Sequence, residues 1–152
     1  MKTTWVLIAD AHRARCLERI DTDRSLTELA AFVYPQSRHS GAPPAGDVSG
    51  DAGKGHGRTG HSGTQFEPHT DLRTKERREF ARLLAKHVNG GVAAHACTAL
   101  ALIATGPMLG EIRPMLSHGA EQLLGHCVAA DLTAYQGPEL RARVDAAMQA
   151  AA

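Results

Sequence analysis

Gln65 carries a side-chain amide, which can hydrogen-bond and orient a water molecule. It lies in Ser62-Gly63-Thr64-Gln65-Phe66, at the end of a glycine-rich stretch that can carry it into a partner's site. The plain alternative is a solvated glutamine in a loop. His39, His56, His61 and His69, with Asp47 and Asp51, offer imidazole and carboxylate donors of the kind that bind zinc, nickel or copper. Their spacing fits no compact metal template, so no metal and no other cofactor is expected. Gly53-Lys54-Gly55-His56-Gly57-Arg58 suggests a phosphate cradle but lacks the order of glycine, lysine and hydroxyl residue that a nucleotide loop needs.

Asp10 and Asp131 each follow an apolar run. A carboxylate at a strand end either shares a metal with a second one or makes a turn. Ser37, Ser40, Ser49 and Ser62 stand in no nucleophile-elbow sequence, which argues against a hydrolase triad. Arg73, Lys75, Arg77, Arg78, Arg82 and Lys86 recur on one predicted helix, with Glu76 and Glu79 among them. Such a helix either docks on a phosphate backbone or is a solvated face held by intrahelical pairs. The nucleic-acid reading takes Lys54, Arg58, Arg73, Arg77, Arg82 and Lys86 as its contacts.

The elements that must position these groups follow from the pattern of apolar residues. Trp5 to Ala9 is a continuous apolar run, as in a strand buried on both faces, and Asp10-Ala11-His12 turns the chain. Arg13 to Ile20 alternates as a half-buried strand does. Leu26 to Tyr34 supplies a third strand, stopped by Pro35. Residues 35–69 hold many glycines and almost no apolar side chain, which predicts a flexible loop.

Thr70 or Asp71 is the expected cap of a helix with Leu72, Phe80, Leu83, Leu84 and Val88 as its apolar stripe, and Asn89-Gly90-Gly91 as its stop. Thr98 to Thr105 reads as a second fully buried strand, with a helix from Pro107 that should break near Arg113, ahead of Pro114. His126 to Ala130 is the last strand and Pro138 to Ala150 the last helix. The order βββαβαβα predicts an α/β ribonuclease-H-like domain with a mixed five-stranded sheet in order 3-2-1-4-5 and helices on its faces. Asp10, Thr105 and Gly106 then fall where the sheet reverses direction, the usual place for a small-ligand crevice.

The whole chain has 152 residues, 43% of them hydrophobic and 22% charged, with a formal net charge of +1. That suits one globular domain and identifies no partner by bulk charge. The apolar run at the start is too short for a signal segment and no stretch is long enough to span a bilayer, so a cytoplasmic protein without membrane insertion is expected. Three widely spaced cysteines, Cys16, Cys97 and Cys127, predict buried free thiols in a reducing compartment.

Several islands occur in order along nearly the whole chain: Trp5 to Asp10 with Ala14-Arg15, Glu67-Pro68 with Thr70-Asp71, Phe80-Ala81, Leu109-Gly110 with Arg113, and Asp131-Leu132-Thr133. Together they resemble the family named for proteins required for attachment to host cells. The family's fold in turn is similar to the middle domain of archaeal and eukaryotic class-1 release factors and of pelota. In release factors the loop after the third strand carries Gly-Gly-Gln, whose glutamine positions water against peptidyl-tRNA. The resemblance implies that Gln65 occupies a comparable place, although the double glycine is absent here. The reading that results is an intracellular interaction module, more a binder than an enzyme, whose partner is the ribosome, tRNA or a translation protein. Peptidyl-tRNA hydrolysis through Gln65 and an RNA-free protein-binding subunit are the alternatives.

Overall fold

The computed structural model describes residues 2–34 and 66–151. Strand β1 (Thr3–Ala9) is buried almost throughout because both of its edges and both of its faces are covered. It pairs antiparallel with β2 (Arg13–Ile20), which pairs antiparallel with β3 (Leu26–Val33). On its other edge β1 pairs parallel with β4 (Ala99–Ala104), which pairs parallel with β5 (Leu124–Ala129). The sheet order is therefore β3-β2-β1-β4-β5, as the element pattern predicts, with the two most apolar strands side by side. Thr98 fastens the start of that central pair: its hydroxyl donates to the Thr3 carbonyl at 3.0 Å and accepts from the Thr3 amide at 2.9 Å.

Helix α1 (Phe66–Ala93) differs from the expectation at both ends. It starts at Phe66, so residues 66–69 are helix rather than loop and Thr70 and Asp71 lie inside it. Pro68 is tolerated there because a first turn has no amide partners to lose. At the other end the helix runs through Gly90 and Gly91. The stop is His95, whose left-handed φ of 59° lets its amide bond the Val92 carbonyl while Ala96 bonds the Gly91 carbonyl. This is the closing pair of a Schellman motif with histidine in the usual glycine position. Gly91 serves packing instead, because a Cβ there would stand 2.1 Å from the Trp5 ring.

The apolar stripe of α1 also differs. Phe80, Ala81, Leu84, Ala85 and Val88 are buried, whereas Leu72 is 51% exposed and Leu83 36% exposed. Helix α2 (Gly106–Ile112) gives way to a 3-10 turn at Arg113–Met115, so the break falls at Pro114 as the missing amide requires. A further short helix, α3 (His118–Leu123), follows, capped by the Ser117 hydroxyl, which accepts from the Ala120 amide at 3.1 Å. Asn89 ties this break to α1, its side chain donating to the Met115 carbonyl at 3.1 Å and accepting from the Ser117 amide at 2.9 Å. Helix α4 (Gly137–Ala151) completes the chain.

The alternation of side chains along the strands divides the core in two. Trp5, Leu7, Cys16, Leu100 and Leu102 face α1, α2 and α3, while Val6, Ile8, Leu17, Ala101 and Ile103 face α4. The result is three layers, with the strand ends that carry Asp10, Thr105 and Asp131 left together at one end of the sheet.

Candidate functional site

At that end the chain leaves β1 through a turn built by Asp10. Its Oδ1 accepts from the amides of His12 at 2.8 Å and Arg13 at 2.7 Å, which fixes the tight hairpin into β2. Next door, Asp131 shapes the exit from β5, its Oδ1 accepting from the Thr133 amide at 3.0 Å. The two turns meet at the buried Thr133 hydroxyl, 3.1 Å from Asp10 Oδ2 and 2.7 Å from Asp131 Oδ1. Its single proton serves one carboxylate at a time, and the Arg13 guanidinium, which donates to the same hydroxyl at 3.1 Å, lies 3.5 Å from Asp10 Oδ2.

Sequence reasoning paired Asp10 with Asp131 as candidate metal acids and missed the threonine that joins them. The spacing Asp131-Leu132-Thr133, an acceptor two residues before a hydroxyl, was the signal. The arrangement supplies a cation of its own in Arg13. Among the described residues no group of three or more His, Cys, Asp or Glu side chains is placed to hold a metal ion. Burial pushes the Asp10 carboxyl up, but the His12 and Arg13 amides, the Thr133 hydroxyl and the Arg13 charge outweigh it and hold the group below its ordinary value. Asp10 is thus a fixed anion that locks the hairpin to the connection between β5 and α4.

Thr105 and Gly106 sit one strand away. The Thr105 amide donates to the Ala9 carbonyl at 3.2 Å, and Gly106 borders open space. Arg15, named in the sequence only as part of a family island, reaches from β2 to donate to the carbonyls of Thr133 and Tyr135. On the α1 side of the hairpin a cavity of about 230 Å³ is lined by His12, Tyr34, Arg73, Glu76 and Arg77. Two of the predicted nucleic-acid contacts are therefore brought beside the hairpin turn.

The cations of α1 are not equivalent. Arg77 is half-buried and, with Arg78, reaches Glu111 of α2, at 3.7 and 3.5 Å. Arg73, Arg82 and Lys86 are exposed, as is Lys75. Glu79 accepts from the Tyr34 hydroxyl, so part of the acidic charge on the helix is engaged in packing. Gln65, Lys54 and Arg58, with His39, His56, His61, Asp47 and Asp51, lie outside the described residues.

Cys16 and Cys97 are buried free thiols, while Cys127 is only half-buried. No described helix is long and apolar enough to cross a membrane. A family model described as "Protein required for attachment to host cells" matches residues 5–144, from the first residues of β1 well into α4. A search of curated proteins finds no match.

Proposed function

This chain belongs to the family of proteins required for attachment to host cells, and from that premise we propose that it is a binding module whose partner is RNA of the translation machinery, docked on α1. The sheet order and the position of α1 after the third strand accord with the ribonuclease-H-like, release-factor-like domain that the sequence suggests, and that likeness is part of the same proposal.

One observation carries it. Arg73, Lys75, Arg82 and Lys86 are all exposed on α1, and the helical repeat places Lys75, Arg82 and Lys86 together on one side over about 16 Å, with Arg73 on the other. The neighbouring cations Arg77 and Arg78 reach Glu111, so among the described residues the other four carry no ion pair and are open to an external anion. Phosphates spaced along an RNA strand are such an anion, and Arg73 and Arg77 line a separate cavity with His12 on the hairpin side of the helix. Attachment would then depend on this protein through what it binds, with no adhesive surface required of it.

The test is co-sedimentation of the full chain with purified ribosomes and with total tRNA, at low and high salt. Binding that weakens steeply with salt, and is lost in the triple variant Arg73→Glu, Arg82→Glu, Lys86→Glu, supports the proposal. Salt-insensitive association with a protein partner and no RNA overturns it in favour of a protein-binding subunit.

A further inference from the structure

The sheet ends in two outer strands, and their edges differ. Along β3 the exposed Glu28 stands beside a bulge, where Leu29 is an extra residue between the pairs Leu17 with Glu28 and Cys16 with Ala30. A charge and a bulge are what keep an edge strand from pairing with another chain. Along β5 the irregularity comes at the start, where Gly125 is the extra residue, and the ladder then runs in register from His126 to Ala129. No charged residue and no proline occurs from Leu124 to Ala130. Among the described residues no strand pairs with the outer side of β5.

The backbone groups at that edge can be named. The Ala130 amide donates to the Ala104 carbonyl at 3.0 Å, so Ala130 points its amide at β4. Successive residues of a strand point their N–H and C=O groups to opposite sides. His126 and Val128 therefore also face β4, whereas Cys127 and Ala129 present their groups at the open edge. Ala129 is exposed and Cys127 half-buried. These two residues also line a shallow cavity of about 540 Å³ with Leu109, Arg113, Pro114 and Glu121, which come from α2, the turn after it and α3. Arg113 and Glu121 are exposed, and neither has an ion pair among the described residues. An uncharged edge is thus bordered by one cation and one anion that have no partner of their own.

We propose that β5 pairs antiparallel with β5 of a second copy of this chain, about a two-fold axis at Val128. Cys127 then lies opposite the partner's Ala129, and Ala129 opposite the partner's Cys127. Each pair exchanges two N–H to C=O bonds, so four bonds form and the outward groups of both residues are satisfied. Val128, whose side chain belongs to the α4 face, meets the partner's Val128 there as a cross-strand pair of branched side chains. An axis normal to the sheet keeps α2 and α3 of both copies on one face, so the Arg113 of each copy is offered the partner's Glu121. A border with one charge of each sign complements itself under two-fold symmetry, which is what selects a second copy over an unrelated strand. The contact lies apart from the RNA-binding helix α1 and does not rest on that reading.

The experiment is sedimentation equilibrium of the nuclease-treated full chain, from micromolar to near-millimolar concentration. A single monomer–dimer equilibrium is expected. Ala129→Pro removes an outward amide, and with it two of the four bonds between copies, but no bond within the sheet. It should weaken the dimer about tenfold, with circular dichroism showing the fold retained. Arg113→Glu and Glu121→Arg should each weaken it severalfold, and the double variant, which restores opposite charges, should recover it. Recovery needs a folded chain, so misfolding cannot mimic this pattern. A chain that stays monomeric, a dimer that Ala129→Pro leaves unchanged, or single charge variants that the double variant does not rescue would overturn the proposal. So would growth beyond the dimer, which marks a head-to-tail contact in place of a two-fold one.

Discussion

The Trp5 ring occupies the place where Gly91 would carry a side chain: a Cβ built on Gly91 would stand 2.1 Å from two ring carbons. Strand β1 and helix α1 can approach only because one residue is large and the other has no side chain at all. The same ring stacks on His87, one turn earlier on α1, at 5.3 Å. Gly91→Ala should therefore destabilise the protein by about 1–3 kcal/mol through overpacking, despite the roughly 1 kcal/mol that alanine gains in a helix interior. Trp5→Leu in the same chain should recover part of the loss. Urea denaturation of the two single variants and the double variant measures the coupling.

Asp10 should govern stability at acid pH. Its folded pKa lies below the ordinary 3.8, so the unfolded chain takes up the proton first. The stabilisation it gives is fully present above that value and is lost as pH falls through the depressed folded one. Asp10→Ala, which strips the acceptor from two amides, should lower stability at neutral pH by about 1–3 kcal/mol. The gap between wild type and variant should close as denaturation is repeated at falling pH.

The exposed cations of α1 set the expected salt response. If Lys75, Arg82 and Lys86 each meet one phosphate of a single strand, the logarithm of affinity should fall with that of salt at a slope of about −2. Between about 50 and 200 mM that is a loss of about 20-fold, readable by anisotropy with labelled RNA. Arg82→Gln alone should reduce the slope by close to one contact. Arg78→Gln, whose partner is Glu111, should change it less.

Arg19 is 9% exposed and reaches Asp145 of α4 at 3.0 Å and Asp21 at 3.5 Å. Asp145→Ala leaves a buried guanidinium with the longer pair only and should cost about 3 kcal/mol. The double change Arg19→Met, Asp145→Leu should restore most of it, since an apolar pair of similar volume avoids desolvating two charges. Thermal melts of the three variants decide the point.

The thiols should differ in reactivity. Burial, with Cys97 nearby, pushes Cys16 up to about 12, and burial also raises Cys97 despite a backbone contact at Trp5. Both are thus protonated in the folded state, and protonated thiols are poor nucleophiles. Titration with a disulfide reagent under native conditions should modify Cys127 first, and Cys16 and Cys97 only on unfolding.

The sheet was legible because its strands are set by patterns that tertiary structure does not overrule. The apolar runs of β1 and β4 demand cover on both faces, and the alternation in β2 demands cover on one. Helix α1 was less so. A glycine pair is an ordinary stop signal, and nothing local shows that Gly91 is reserved for a tryptophan 86 positions earlier or that His95 will take the left-handed turn. Leu72 and Leu83 match the helical period but fall beyond the covered stripe. Within the candidate site, Asp10 and Asp131 were visible as strand ends. Thr133, which joins them, was not, because the contact spans 123 positions.

The clasp between Thr3 and Thr98 joins points 95 residues apart. In the unfolded chain the entropy of closing such a loop grows only as the logarithm of its length. Removing twenty or so residues between β3 and α1 would change that closure by about 0.2 kcal/mol, and adding as many would change it by a similar amount in the other direction. The topology therefore leaves the length of this connection almost unconstrained by folding, and selection on the segment between Tyr34 and Phe66 is free to follow whatever the segment does.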